Sequence, residues 1–284
     1  MVDKAHRETD KILHSLEASL KDIYTAYYKD AKKSILEIYN KIDFTKNMTP
    51  IERYNEALKY GRIDNIQKEF ANILAEAGTE AIKNVNNEMY NIYKVNYKHG
   101  IDELAVLLST FIDNAEDVID YDYNTKTEVR EKVTSPFDAI AIDNIKYASE
   151  LRREIGSQII KSIMRGDNAL QFTKELKKIA ELRLYDIVRI ARTETTRFEN
   201  VGRLDAYSSL EDKGFVVYKE WVAVGDNKTR TAHKDANGQQ VPLDEPFNVG
   251  GEKLMYPGDP NGTAGNVINC RCTMRSGIKR IKNE

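Results

Sequence analysis

Cys270 and Cys272 stand two residues apart near the end of the chain, with His233 and Asp226 upstream in the same glycine-rich stretch. Two thiolates and an imidazole are standard ligands of Zn²⁺. In an extended chain both cysteines would point to one face, with Cα atoms about 6.5–7 Å apart. That separation is at or beyond the limit for an unstrained disulfide between them. The same geometry suits two ligands of one metal, with His233 as the third and Asp226 as a candidate fourth. A plainer reading makes the cysteines small buried hydrophobes and lets His233 hydrogen-bond loop backbone. Zinc sites usually space their cysteines by two to four residues, and Cys-x-Cys falls outside that pattern.

Other polar residues nearby read as structural. Arg230 and Asp226 suggest an ion pair bracing the loops, Arg271 should face away from the cysteines that flank it, and Trp221 reads as core. Arg192-Thr193-Glu194-Thr195 touches the pattern of an ADP-ribosyltransferase, but it lies in a helical stretch and no Glu-x-Glu follows. Gly-x-Ser-x-Gly, Walker and His-Glu-x-x-His motifs are absent from the sequence, so the expectation is a protein without catalytic activity. Arg183, Arg189, Arg192, Arg197 and Arg203 are interleaved with Glu194, Glu199 and Asp205, as on a solvated helix face. At the end of the chain Arg271, Arg275, Lys279, Arg280 and Lys282 meet only the closing acid Glu284. Arg275, Lys279, Arg280 and Lys282 are therefore expected to form a tail that binds DNA weakly, without sequence preference and with strong salt sensitivity.

The elements that must carry these residues follow from periodicity. Leu13, Leu16, Leu20, Ile23 and Tyr27, continued by Ala31, Ile35, Tyr39 and Ile42, fall on one face of a long amphipathic helix. That face either packs on its own domain or docks on another subunit. Thr49-Pro50 with Glu52 combines an N-cap, a first-turn proline and a capping-box acid, so a new helix starts near Pro50. Gly61, Gly78 and Gly100 read as punctuation between helices, and Ile101–Val118 as helix again. Residues 121–136 are polar and aperiodic, a loop or edge hairpin, and Ser135-Pro136 caps a further helix. Gly166-Asp167-Asn168 forms a turn before a helical stretch from Ala169 to about Leu210. After Lys213-Gly214 the pattern becomes β-branched and aromatic, Phe215–Val224, and then rich in turns. The fold class is α+β: a helical region over 1–165, then a domain over 166–284 made of helices (166–212) and a small α+β cap (215–284).

Bulk properties set limits on the role. A net charge of −2 with 41% hydrophobic and 31% charged residues is a globular profile that lacks the basic excess of a nucleic-acid coat. No apolar run reaches the ~20 residues of a membrane span, and the first residues lead into a polar helix, not a signal peptide. Two cysteines do not make a secreted disulfide framework.

The order of the motifs carries a resemblance. Trp221, then Asp226-x-x-x-Arg230-x-x-His233, Gly238, Pro257-Gly258-Asp259-Pro260 and Asn269-Cys270-Arg271-Cys272 resemble the phage Mu F-like head morphogenesis domain. Ile190-Ala191-Arg192-Thr193-Glu194 and Asn200-x-Gly202-Arg203 are similar to the segment that precedes it. The likeness covers roughly residues 160–275. Where the family often has a hydrophobic residue before Asp/Asn-Gly, this chain has Asp235-Ala236-Asn237-Gly238, which keeps the turn. The resemblance implies a minor head protein of a tailed phage, located in the virion inside the capsid and in the host cytoplasm during assembly. It implies incorporation into the procapsid, with the portal as partner, and an influence on DNA packaging or ejection. The N-terminal helices would then supply the partner surface.

Overall fold

The computed structural model describes residues 3–42, 47–115, 144–211 and 215–281. The polar stretch 121–136 and Lys282 lie outside them. In chain order the described elements are the helices α1 (Lys4–Tyr39), α2 (Pro50–Leu58), α3 (Arg62–Leu108), α4 (Asn144–Arg165) and α5 (Ala169–Glu211). Strand β1 (Phe215–Val222), the short helix α6 (Thr231–Asp235), strands β2 (Gln240–Pro242), β3 (Phe247–Val249) and β4 (Glu252–Leu254), helix α7 (Ala264–Val267) and strand β5 (Thr273–Ile281) follow. The class is α+β, and among the described residues the sheets lie in the C-terminal part. No helix among the described residues is long and apolar enough to cross a membrane.

Local chemistry explains the helix boundaries. Thr49 accepts the Glu52 backbone N–H through its side chain while Glu52 accepts the Thr49 N–H at 2.7 Å, the reciprocal box read from the sequence. Asn168 and Gln171 make the same exchange before α5, at 2.9 and 2.8 Å. At the end of α3 the hydroxyls of Ser109 and Thr110 bond the carbonyls of Val106 and Leu107, competing with the helix ladder. The helix therefore stops at Leu108, short of the expected Val118.

The chain folds as two compact units, each drawn from separated stretches: Met1–Leu16, Val85–Thr134 and Arg189–Glu284 in one, Glu17–Asn84 and Ser135–Val188 in the other. In the second unit Tyr39 stacks on Phe172 with ring centroids 4.1 Å apart and donates its hydroxyl to the Asp167 carbonyl. Burial of the Tyr39 phenol, beside the charge of Asp167, pushes its pKa up to about 12. The α1 stripe is internal: Leu16, Leu20, Ile23, Ala31, Ile35, Tyr39 and Ile42 are buried in the chain's own units. It is not a free docking face, because the apolar area that would attract a partner is already covered.

Of the three glycines expected between helices, only Gly61 lies at a break. Gly61 does sit in a left-handed kink, with Tyr60, between α2 and α3. Gly78 and Gly100 instead lie inside the continuous helix α3. At Gly100 a Cβ would come 2.7 Å from the Ala206 Cβ, so the residue serves helix-to-helix approach. Gly202 is tighter still, its missing Cβ falling 2.6 Å from the Tyr93 carbonyl oxygen and 3.1 Å from the Tyr97 nitrogen, both backbone atoms. At Gly78 the nearest atom would be the Tyr24 hydroxyl at an ordinary 3.7 Å. Gly78→Ala is thus expected to stabilise the protein by about 0.5–1 kcal/mol, the helix-interior cost of glycine. Gly202→Ala should destabilise it by about 1–3 kcal/mol through overpacking. Urea midpoints of the two variants check both signs.

In the C-terminal part β1 is central in a three-stranded antiparallel sheet of order β2-β1-β5, with Trp221 opposite Met274 and Glu220 opposite Arg275. Strands β3 and β4 form a separate hairpin. Both pack into one apolar core that contains Trp221, Phe247, Leu254, Cys270, Cys272 and Met274 together with Tyr207 and Leu210 of α5. The expected basic tail is largely strand: Arg275, Lys279 and Arg280 belong to β5, and Arg275 pairs with Glu220.

Candidate metal centre

The site is built on one face of α5. Thr193, Thr196, Asn200 and Arg203 step by three, four and three, which aligns them along the helix. Asn269 gives its backbone N–H to the Thr193 hydroxyl at 3.1 Å. The Thr196 hydroxyl donates to the Cys270 carbonyl, the Asn200 amide to the Cys272 carbonyl at 3.2 Å, and the Arg203 guanidinium to the Met274 carbonyl at 2.7 Å. In an extended segment alternate carbonyls point the same way, so a helical row of donors can hold residues 270, 272 and 274 as a unit. This is the physical content of the Asn200-x-Gly202-Arg203 motif. Gly202 lets α5 close on α3, and its neighbours hold the cysteine segment.

That segment is not a strand. Asn269 adopts a left-handed conformation, φ 55°, and regular pairing begins only at Thr273. The bend turns both cysteine side chains inward. His233, on α6, meets them: its Nδ1 lies 3.3 Å from Cys272 Sγ and 3.7 Å from Cys270 Sγ. The ligand atoms of the three residues all fall within 4.8 Å of one another. All three are buried, both cysteines are free thiols, and the Cys272 backbone N–H points at Cys270 Sγ at 3.4 Å. The ring thus contacts sulfur through Nδ1, while Nε2 is buried without a hydrogen-bond partner. Trp221 stands edge-on to the imidazole at 5.6 Å. Its indole N–H has no acceptor at full bonding distance but is turned to Cys272, whose thiolate it favours.

The two thiols cannot both ionise freely at this separation. Cys270 is drawn below the usual thiol range, first by the hydrogen bond from Cys272 and then by His233, against the effect of burial. Cys272 is pushed well up by that same bond, by burial and by the Cys270 charge. The cluster therefore carries one negative charge readily and a second only beside a cation.

The remaining motif residues brace the surroundings. Asp226 lies outside the cluster: it forms a bidentate pair with Arg271, both contacts 2.8 Å, and accepts from the Lys228 N–H and the Thr229 hydroxyl. The Arg271 bond in particular holds its carboxyl well below the usual range. Arg230, expected to pair with Asp226, instead donates to the Ile268 carbonyl. Gly238 donates to the Trp221 carbonyl at 2.8 Å and extends the β1 edge. Asp259, buried after Pro257, accepts from the N–H groups of Met255 and Asn261 and shapes the turn. Gly258, φ +85°, faces the α5 backbone at Arg197, where an added Cβ would come 3.0 Å from the Arg197 nitrogen, so a side chain has little room.

Some residues escaped sequence reasoning. Arg203 is fully buried, as are Glu199 and Lys219, the last donating to the Leu243 carbonyl at 2.7 Å. Arg183 pairs with Glu154 and Asp186, and Arg197 with Glu194, so these arginines are not a bare basic stripe. Near the start of α1, His6 Nδ1 contacts Glu199 at 2.8 Å, and Glu199 also accepts from the Thr273 hydroxyl. Burial lowers the His6 pKa, but the Glu199 charge and hydrogen bond, with help from Asp10, outweigh burial and the opposing Arg203 charge, so it rises. A raised histidine contributes stability that is complete below its unfolded value of ~6.5 and is lost as pH climbs through the higher folded value. Denaturant midpoints should therefore fall as pH rises above neutrality, and His6→Gln should flatten that slope.

Residues 153–275 match the family described as phage Mu protein F like protein. Over 268 residues, 93% of this chain and 83% of the relative, the sequence is 23% identical to minor head protein GP7 of Bacillus phage SPP1. Over 139 residues, 49% of this chain, it is 30% identical to the NAD(+)–arginine ADP-ribosyltransferase EFV of Enterococcus faecalis (strain ATCC 700802 / V583), of which it spans 28%. No solved structure matches.

Proposed function

For a chain whose residues 153–275 carry the phage Mu protein F like sequence, we propose a role as a minor head protein of a tailed bacteriophage, acting in head morphogenesis. The observation that carries this reading is a similarity to a minor head protein over 93% of this chain and 83% of the relative. The use of the motif residues agrees with it. Thr193, Thr196, Asn200, Arg203, Gly258 and Asp259 hold backbone in place, which is what an assembly component needs. In this reading the protein enters the procapsid at the portal, resides inside the capsid, and affects DNA packaging or ejection. Quantitative mass spectrometry of procapsids and mature virions of the encoding phage tests it. A few copies per particle is the expected result, falling in procapsids that lack the portal. Absence from both particles would reject the proposal. Contact with DNA is expected to be weak and to collapse with added salt.

The similarity to an ADP-ribosyltransferase favours a second reading, a toxin-like enzyme sharing the module. Against it, the Thr193 hydroxyl donates to the Arg189 carbonyl and accepts from Asn269, and Glu194 pairs with Arg197. The sequence also contains no Glu-x-Glu. NAD consumption with an arginine acceptor, abolished by Glu194→Gln, would support this alternative.

A further inference from the structure

We propose that His233, Cys270 and Cys272 form a three-ligand Zn²⁺ site whose fourth position opens to solvent. A tetrahedral ion with Zn–S near ~2.3 Å and Zn–N near ~2.0–2.1 Å sets its nitrogen and sulfur ligands roughly 3.6 Å apart. The observed Nδ1-to-Sγ separations of 3.3 and 3.7 Å lie on either side of that value. The third separation, sulfur to sulfur, also stays within 4.8 Å. Two soft thiolates and an imidazole, all buried, select zinc over magnesium or calcium, which take oxygen ligands.

The surrounding residues support the ligands. Thr196 and Asn200 hold the carbonyls of Cys270 and Cys272, and an N–H-to-sulfur bond within the segment turns Cys270 towards the ring. A small pocket touches all three ligand residues and is otherwise walled by Val224, Lys228, Thr229, Arg230, Asn269 and Arg271. Asp226 is held by Arg271, so among the described residues no carboxylate joins the cluster, and the fourth ligand is water or a small anion favoured by the neighbouring cations. Binding releases the remaining thiol protons to solvent. The ion would clip α6 to the cysteine segment, joining positions 37 and 39 residues apart.

Native mass spectrometry of the full chain expressed with zinc supplied, with elemental analysis, is the test. One zinc per chain is expected, lost in both Cys272→Ser and His233→Ala, with Co²⁺ substitution giving thiolate charge-transfer and tetrahedral d–d absorption. Circular dichroism, dominated by the long helices, reports whether each variant is folded. Folded wild-type protein without stoichiometric zinc overturns the proposal, whatever the variants do. Zinc retained by both variants also overturns it, since the ion would then sit elsewhere.

Discussion

Replacing Arg203 by alanine is expected to cost about 3–5 kcal/mol of stability, the range for removing one partner of a buried ion pair. Its side chain is fully inaccessible and nearly every donor is engaged. Nη1 bonds Asp3 at 2.6 Å and the Met274 carbonyl at 2.7 Å, Nη2 bonds Asp3 at 2.9 Å, and Nε bonds Asn96 at 3.1 Å. Glu199 lies 3.5 Å away and itself holds His6 and Thr273. Truncation would take the guanidinium from Asp3 and Glu199, leaving them His99 and His6 as basic partners, and free the Met274 carbonyl, loosening the start of α1 and the start of β5 together. Lysine keeps the charge but cannot form the planar fork, so Arg203→Lys should fall between alanine and wild type. Denaturant unfolding at neutral pH measures all three. Arg271→Ala, which breaks an exposed pair with Asp226, is the contrast and should leave the midpoint close to wild type. An Arg203→Ala midpoint equal to that of wild type would mean that the network does not hold the fold.

Trp221→Ala is expected to cost a similar amount, about 3–5 kcal/mol, because it empties the largest fully buried side chain from the core. The indole packs edge-on against Phe247 at 5.3 Å and against His233 at 5.6 Å, so a cavity there also removes one wall of the histidine site. Trp221→Phe keeps most of the contact and should recover a large part of the loss. The chain has one tryptophan, which makes wild-type fluorescence a report on this core alone. Emission should be that of a buried indole and should shift red on unfolding, in step with circular dichroism if the core melts with the helices. Exposed-indole emission from the native protein would contradict the packing.

The sequence was most legible where the governing interactions are local. The period of Leu16, Leu20, Ile23, Ala31, Ile35 and Tyr39 defines one buried helical face. The Thr49–Glu52 box sets a helix start, and the β-branched run from Phe215 defines a strand. The motif order from Trp221 to Cys272 already carried the family resemblance. Lys219 could have been read as buried, since strand alternation puts it on the same face as Val217 and Trp221. Gly78 and Gly100 misled because glycine marks a turn, a tolerated helical position or a close approach alike, and only the neighbouring atoms distinguish them.

The amino-acid sequence by itself determined the elements, their caps and the residue types available to the cysteine–histidine cluster. The tertiary structure decided which of those residues meet. It gave Asp226 to Arg271 in place of Arg230, buried Arg203 against Asp3 some 200 positions away, and brought His233 to two sulfurs through a bend at Asn269. Periodicity and capping depend on neighbours within a turn or two of the chain. A charged or thiol side chain has no preferred partner until folding fixes the distance and the exclusion of water, and these depend on contacts that sequence spacing does not encode.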